Sequence, residues 1–433
     1  MSLGAAVRVP SGGTARTGGS RSDPERVAAI QRGRLCEAMV QTVAARSYAK
    51  VTVSELSRIA RVSNHALYDH FAGERLGAKR GCLLAAIDEM ADLAVAHGSA
   101  AQRRRRGWRE RLALVLGTFA LDVARHPDAA RVALFEALDP DAGALATLAR
   151  AGERFEALLA GCLEDAPAAV QPPPYLVKGI FAGAIHVARA HLMAGREREL
   201  PRRAVEELAV WACACCMQAP LPAAIAAAGC SPGGMSCMPP LVPRRSGDGR
   251  EERLRMLEAC ARIAAQRGRA SLRVSAIEAA AQVRRGTFRR HFADVGECFI
   301  AAYELLCANA FAQALAAAHE NGTRSAPARA VLARLAGQIA VRRGLAQIAF
   351  AELPGAGPTG VRAQTRLLET FARVLERRAP PGERVSPGAL SAAVAAIWGL
   401  AGHLAVRGGA RRRQIDGQLL ARLMAPATGA ARV

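Results

Sequence analysis

Thr52-Val53-Ser54-Glu55-Leu56-Ser57-Arg58-Ile59-Ala60-Arg61-Val62-Ser63-Asn64-His65-Ala66-Leu67-Tyr68-Asp69-His70-Phe71 is the stretch that decides the fold. Thr52 followed by Glu55 has the pattern of a capping box, in which a hydroxyl and a carboxylate satisfy the free amides at a helix start. Leu56, Ile59 and Ala60 recur with helical spacing and give this first helix a buried face. Arg61-Val62 then reads as a tight turn with an apolar plug, and Ser63 as the cap of a second helix. Leu67 and Phe71 bury one side of that second helix and leave Asn64, His65 and Tyr68 on the other. Two short helices joined in this way form a helix-turn-helix, whose second helix fits the DNA major groove. The Asn64 amide can pair with adenine N6 and N7, whereas Tyr68 and Thr52 suit phosphate contacts. An ordinary helical hairpin with polar exposed residues is the plain alternative. The capping pattern, the plug and the Tyr-x-His-Phe spacing together favour the reading element.

Composition extends this outward. A chain of 433 residues is long enough for two to four domains of roughly 100–200 residues. Hydrophobic residues make up 51% but aromatics only 4%, and Ala and Leu dominate, which favours helices over strands. Clear strand alternation is absent, so the expected fold class is all-α. The 59 Lys and Arg against 37 Asp and Glu leave a formal charge of +22, which attracts polyanions. Nucleic acid is the first candidate and an anionic membrane surface the second; a GC-rich coding bias that inflates Arg is the plain alternative. The 11 cysteines form no paired C-x-x-C motif, and none points to a metal site. Cys213, Cys215 and Cys216 sit in an apolar run, where buried thiols acting as small hydrophobes are favoured over redox sensing. Residues 1–24 lack an apolar core segment and read as a disordered basic arm, not a secretory signal. The longest apolar stretch is interrupted by Gln218, Pro220 and Pro222, against a membrane span; a cytoplasmic protein is expected. No phosphate-cradling loop, His-Glu-x-x-His or nucleophile–base pair is visible, so neither an enzyme nor a cofactor is expected.

The chain is also written twice. Val53-Ser54, Val62 and His70-Phe71-Ala72 align without a gap on Val274-Ser275, Val283 and His291-Phe292-Ala293. The first copy carries five extra residues within Glu74–Gly81, after which Cys82 meets Cys298, Glu136 meets Glu352 and Glu153 meets Glu369. One further residue of shift pairs Ile180 with Ile397 and His186 with His403. The period is too long for a solenoid, and it divides the chain into two units of about 190 residues. The expected boundaries are an arm at 1–24, a first helix-turn-helix domain at 25–90 and a first C-terminal helical domain at 91–217. A Pro/Gly/Ser-rich linker follows at 218–249, then a second helix-turn-helix domain at 250–306 and a second C-terminal helical domain at 307–425.

Thr52 to Phe71, with Val62-Ser63 and Leu67-Tyr68-Asp69-His70-Phe71, resembles the signature of the TetR family of transcriptional regulators. The preceding helix near Arg26–Arg46 and Cys82-Leu83-Leu84-Ala85-Ala86 fit as well. The family usually has Gly where this chain has Arg61, so the turn here must accommodate a side chain. Val283 to Phe292 resembles the same pattern, but Arg273, Arg284, Arg289 and Val295 stand where Thr, the Ser cap, Tyr and Lys are expected. The resemblance implies DNA-binding roles for Thr52, Ser63, Asn64, His65, Tyr68 and His70, with Lys79 near the fourth helix touching phosphate. In the second copy it points to Arg284, Arg285, Thr287, Arg289 and Arg290. Either that element binds DNA with more backbone charge and different specificity, or it serves as a dimerisation partner; four arginines in one short helix favour the former.

The resemblance further implies C-terminal helices that bind a small-molecule effector and form a dimer. The tandem chain could be an intrachain pseudo-dimer or a homodimer. Phe135, Phe155, Phe181 and His186 in the first unit, and Phe371, Trp398 and His403 in the second, are pocket candidates, although core packing explains each. The four arginines Arg103–Arg106 are a solvated run or an extra phosphate contact. The expected function is a sequence-specific DNA-binding regulator, a repressor relieved by a small molecule; a non-specific nucleoid-type protein is the alternative.

Overall fold

A computed structural model of the chain describes residues 22–71, 77–103, 107–139, 143–167, 175–217, 249–319, 328–379, 386–407 and 417–424. The linker expected at 218–249 lies outside these apart from Gly249, as do residues 104–106 of the arginine run. Of the arm expected at 1–24, only its last three residues are described. They are already helical, with Pro24 in a first turn that suits a residue lacking an amide proton.

All elements among the described residues are helical, so the protein is all-α. The first half contains α1 (Ser22–Arg46), α2 (Val53–Ala60), α3 (Asn64–Phe71), α4 (Ala78–Arg103), α5 (Trp108–Arg125), α6 (Pro127–Leu134), α7 (Leu145–Gly161) and α8 (Leu176–Ala194). It closes with α9 (Leu200–Arg203), a π-turn (Ala204–Ala209) and α10 (Val210–Met217). The second half contains α11 (Arg250–Arg267), α12 (Val274–Ala281), α13 (Phe288–His291), α14 (Val295–His319), α15 (Ala328–Val341), α16 (Arg343–Ala346), α17 (Gly357–Arg377), α18 (Pro387–Arg407) and α19 (Gly417–Met424).

The helices gather into two compact units. One comprises residues up to 96 together with 126–154, and the other residues 97–125 together with 155 onward. This division does not follow the boundary expected at 90/91. The reason lies in the first core: Leu35, Met39 and Val43 of α1, Leu56 of α2, Leu67 and Phe71 of α3, and Leu83 and Ile87 of α4 are buried with Val132, Ala137 and Ala144. Residues 126–154 therefore complete the core around the first helix-turn-helix.

The second unit holds the second head and most of both C-terminal regions. Here α8 lies along α18, α17 packs on both, and α10 meets α19. Close approach of α8 and α18 depends on small residues: a Cβ at Gly183 would stand 2.9 Å from the Ala392 carbonyl oxygen. Trp211 of α10 locks the end of the seam by donating its indole N–H to the Leu423 carbonyl at 2.8 Å. Two helical stretches, Val295–Ala318 and Pro387–Ala405, are long and apolar enough to cross a membrane, and the second is largely buried by its helical neighbours.

Candidate nucleic-acid interface

An eight-residue helix has too few internal hydrogen bonds to hold itself in water, so α2 and α3 are placed by what they bury and how they are capped. Thr52 accepts the Glu55 amide at 3.3 Å, which starts α2. The reciprocal half of the expected capping box gives way to an ion pair: the Glu55 carboxylate lies 3.1 Å from the Arg46 guanidinium at the end of α1. The turn is left-handed at Arg61 (φ 55°), and the next amide, Val62 N–H, reaches back to the Ser57 carbonyl at 3.0 Å. Ser63 then accepts the Ala66 amide at 3.1 Å and starts α3.

Leu67 and Phe71 of α3 are buried, and this fixes what the opposite face presents. Ser63, Asn64, His65 and Tyr68 are exposed, with Tyr68 showing 49% of its surface. Asn64, His65 and Tyr68 fall within a turn of one another on the same face of α3. His65 pairs with Asp69 at 3.5 Å along the helix.

His70 and Lys79 are placed differently. The His70 ring is half-buried, with Nε2 3.2 Å from the Gln31 amide oxygen on α1. That contact ties α3 to α1. Arg32, the next residue of α1, stacks over the Phe71 ring at 4.9 Å and clamps the same end. Lys79, in the first turn of α4, has its ammonium 4.2 Å above the Tyr48 ring, so a phosphate contact from it would compete with a cation–π contact.

The second head repeats much of this frame 221 positions later. Gly268 (φ 80°) answers Ser47 (φ 73°), and Gln282 (φ 54°) answers Arg61. Val283 N–H meets the Glu278 carbonyl at 3.1 Å as Val62 meets Ser57. Arg253 stacks over Phe292 at 4.9 Å as Arg32 stacks over Phe71. The helix after its turn, however, is shortened to α13, Phe288–His291. Arg284 and Arg285 thus sit on a turn and not in the short helix expected of them; Arg289 is exposed on α13. Thr287 is 1% exposed and offers nothing to a ligand, and Arg290 pairs with Glu252 at 3.4 Å.

The pocket candidates do not gather round one cavity. Phe135 belongs to the first unit and the other six to the second. Phe155 packs between Phe119 and Phe181 at 5.3 and 5.4 Å, and Phe371 stacks on Phe311 at 4.1 Å. Trp398 lies 5.2 Å from Phe350, and His403 5.7 Å from Tyr175. These are aromatic packing contacts.

His186 alone lies next to an opening. Its Nε2 is 2.9 Å from a Glu369 oxygen on α17, and that carboxylate also accepts the Ser391 hydroxyl of α18. Glu369 and Ser391 help to line a cavity of about 540 Å³ with Glu207, Arg203, Arg373 and Val187. Glu207 accepts from Arg203, from Ser386 at 3.0 Å and from the Gly388 amide at 2.7 Å. Burial works to raise both carboxyls, but the hydrogen bonds and nearby cations outweigh it and hold both below the usual carboxylate range. The cavity is assembled from α8, the π-turn, α17 and α18, and single-sequence periodicity carries no sign of that gathering.

The Glu369 carboxylate stands between the His186 imidazole and the Ser391 hydroxyl. A nucleophilic serine needs the order hydroxyl, imidazole, carboxylate, and the His186–Glu369–Ser391 trio has a different one. Burial pushes the Cys216 thiol up to about 12 and Cys213 up to about 11, which suits thiols packed as hydrophobes.

No family model matches the sequence, and no curated protein is similar to it at a significant level. Solved structures do match parts of the chain. The fatty acid degradation regulator FadR from Bacillus halodurans aligns over 42% of this chain and 94% of its own, with 15% identity and a TM-score of 0.39. The transcriptional regulator FadR from Bacillus subtilis, solved with stearoyl-CoA, aligns over 40% and 97%, with 16% identity and a TM-score of 0.35. A TetR family transcription regulator from Marinobacter aquaeolei VT8 aligns over 42% and 97%, with 17% identity and a TM-score of 0.33.

Proposed function

We propose that the chain is a sequence-specific DNA-binding transcriptional regulator of TetR type, with two such units in tandem. The observation that carries this is the exposed face of Asn64, His65 and Tyr68, held outward by the burial of Leu67 and Phe71 on a helix that follows a tight, capped turn. Asn64 reads adenine, Tyr68, Thr52 and Ser63 contact phosphate, and the charge of +22 supplies steering. The recurrence of left-handed residues and ring-stacking arginines 221 positions on supports the tandem reading. The seam of α8 on α18 supports an intrachain pseudo-dimer. The compartment is the cytoplasm.

The regulator acts as a repressor released by a small molecule, and the cavity beside Glu369 is the effector site. Its volume of about 540 Å³ is that of a small-ligand pocket, and its walls come from both halves of the second unit. A ligand there would shift α8 against α17 and α18.

Selection of bound duplexes from a random pool tests the reading. The wild type should enrich one motif, and Asn64→Ala with Tyr68→Ala should lose that preference while keeping the helical circular dichroism spectrum. A wild type that binds all duplexes alike would leave a nucleoid-type, charge-driven protein as the better account.

A further inference from the structure

The turn that precedes the second reading helix is held by a side chain that the first head lacks. Glu278 occupies the position of Ser57 and is 5% exposed. One of its oxygens accepts the Gly286 amide at 2.8 Å and the Phe288 amide at 3.0 Å. Amides that would open a longer helix are thereby spent on a carboxylate from the helix before. Residues 284–287 become a turn with Gly286 left-handed (φ 87°), and only the single turn of α13 remains.

What this leaves outside is uniform. Positions equivalent to Ser63, Asn64, His65 and Tyr68 are Arg284, Arg285, Gly286 and Arg289, all exposed. Arg290 is committed to Glu252, whereas Arg284, Arg285 and Arg289 have no carboxylate partner among the described residues. Arginine can read guanine through a bidentate contact, but that requires a side chain held in register by a helix lying in the groove. Two of these arginines ride on a turn beside a glycine, and the third on one turn of helix. Such guanidinium groups meet phosphate oxygens of any sequence.

We infer that the second head is a sequence-blind clamp on the DNA phosphate backbone, so that the operator holds one read half-site flanked by duplex of indifferent sequence. This rests on the first head reading DNA. The full-length chain is compared with Arg284→Ser/Arg285→Ser/Arg289→Ser, three exposed changes that leave the buried Glu278 strap alone. The triple variant should enrich the same single motif as wild type and bind every duplex more weakly by one factor. Its salt dependence, the slope of log affinity on log salt, should shrink by about 2 to 3. A second, unlike motif in the wild type that vanishes in the triple variant would overturn the inference, as would an unchanged salt slope. Loss of any motif in the wild type would count against the first head instead, with the salt slope still judging the second.

Discussion

Arg61 and Gln282 carry a cost that is local to single residues. Both adopt left-handed backbone, φ 55° and 54°, where a Cβ crowds the following carbonyl. Neither can be replaced by a right-handed residue, because each turn depends on that amide reaching back to the preceding helix. Arg61→Gly and Gln282→Gly should therefore each stabilise the chain by about 1 kcal/mol in urea unfolding, less the entropy glycine adds to the unfolded state. Only Arg61→Gly should also weaken DNA binding slightly, by the loss of one surface cation. A loss of stability in either variant would mean that the long side chain packs in a way that outweighs its backbone strain.

The two heads show which elements the sequence spells out. In the first, every signal is within four residues of its effect: the Thr52 cap, the Ser63 cap, and the Leu67 and Phe71 pair. The helix Asn64–Phe71 is accordingly legible in the sequence. In the second, the pattern of Val283 to Phe292 implies a helix from Arg284 onward, but Glu278 overrides it from another element through two hydrogen bonds. The same limit hid the cavity, whose lining is brought together from separate helices, and the contact of His70 with Gln31, 39 residues away. Aromatic residues were a poor guide to a pocket because in a chain with 4% aromatics they are the best core fillers. If Glu278 holds its turn as the distances indicate, Glu278→Ala leaves two amides short of a partner. The second unit should lose about 3 kcal/mol in chemical unfolding. Glu278→Gln, which keeps an acceptor oxygen, should recover part of that loss; equal effects of the two changes would show that the carboxylate is not the strap.

At the scale of the molecule, the second unit depends on a seam that has no room and on two carboxylates that must stay charged. Gly183→Ala places a methyl 2.9 Å from a backbone oxygen and should cost roughly 1–3 kcal/mol by forcing α8 from α18. Acid should act on the same seam. Glu369 and Glu207 both titrate below the usual carboxylate range in the folded chain, so the unfolded chain takes up their protons first as pH falls. Their contribution is fully present above the ordinary carboxyl pKa of 4.5 and is lost as pH drops through the lowered folded values. For Glu369, roughly a third exposed to the cavity, solvent screening limits this to on the order of 1 kcal/mol. Wild type should thus lose more stability between neutral pH and pH 3 than Glu369→Gln does, measured as the shift in urea midpoint. Identical losses would mean that the His186–Glu369–Ser391 contact does not bind α8 to α17 and α18. A ligand entering the cavity would then have no charged hinge to act upon.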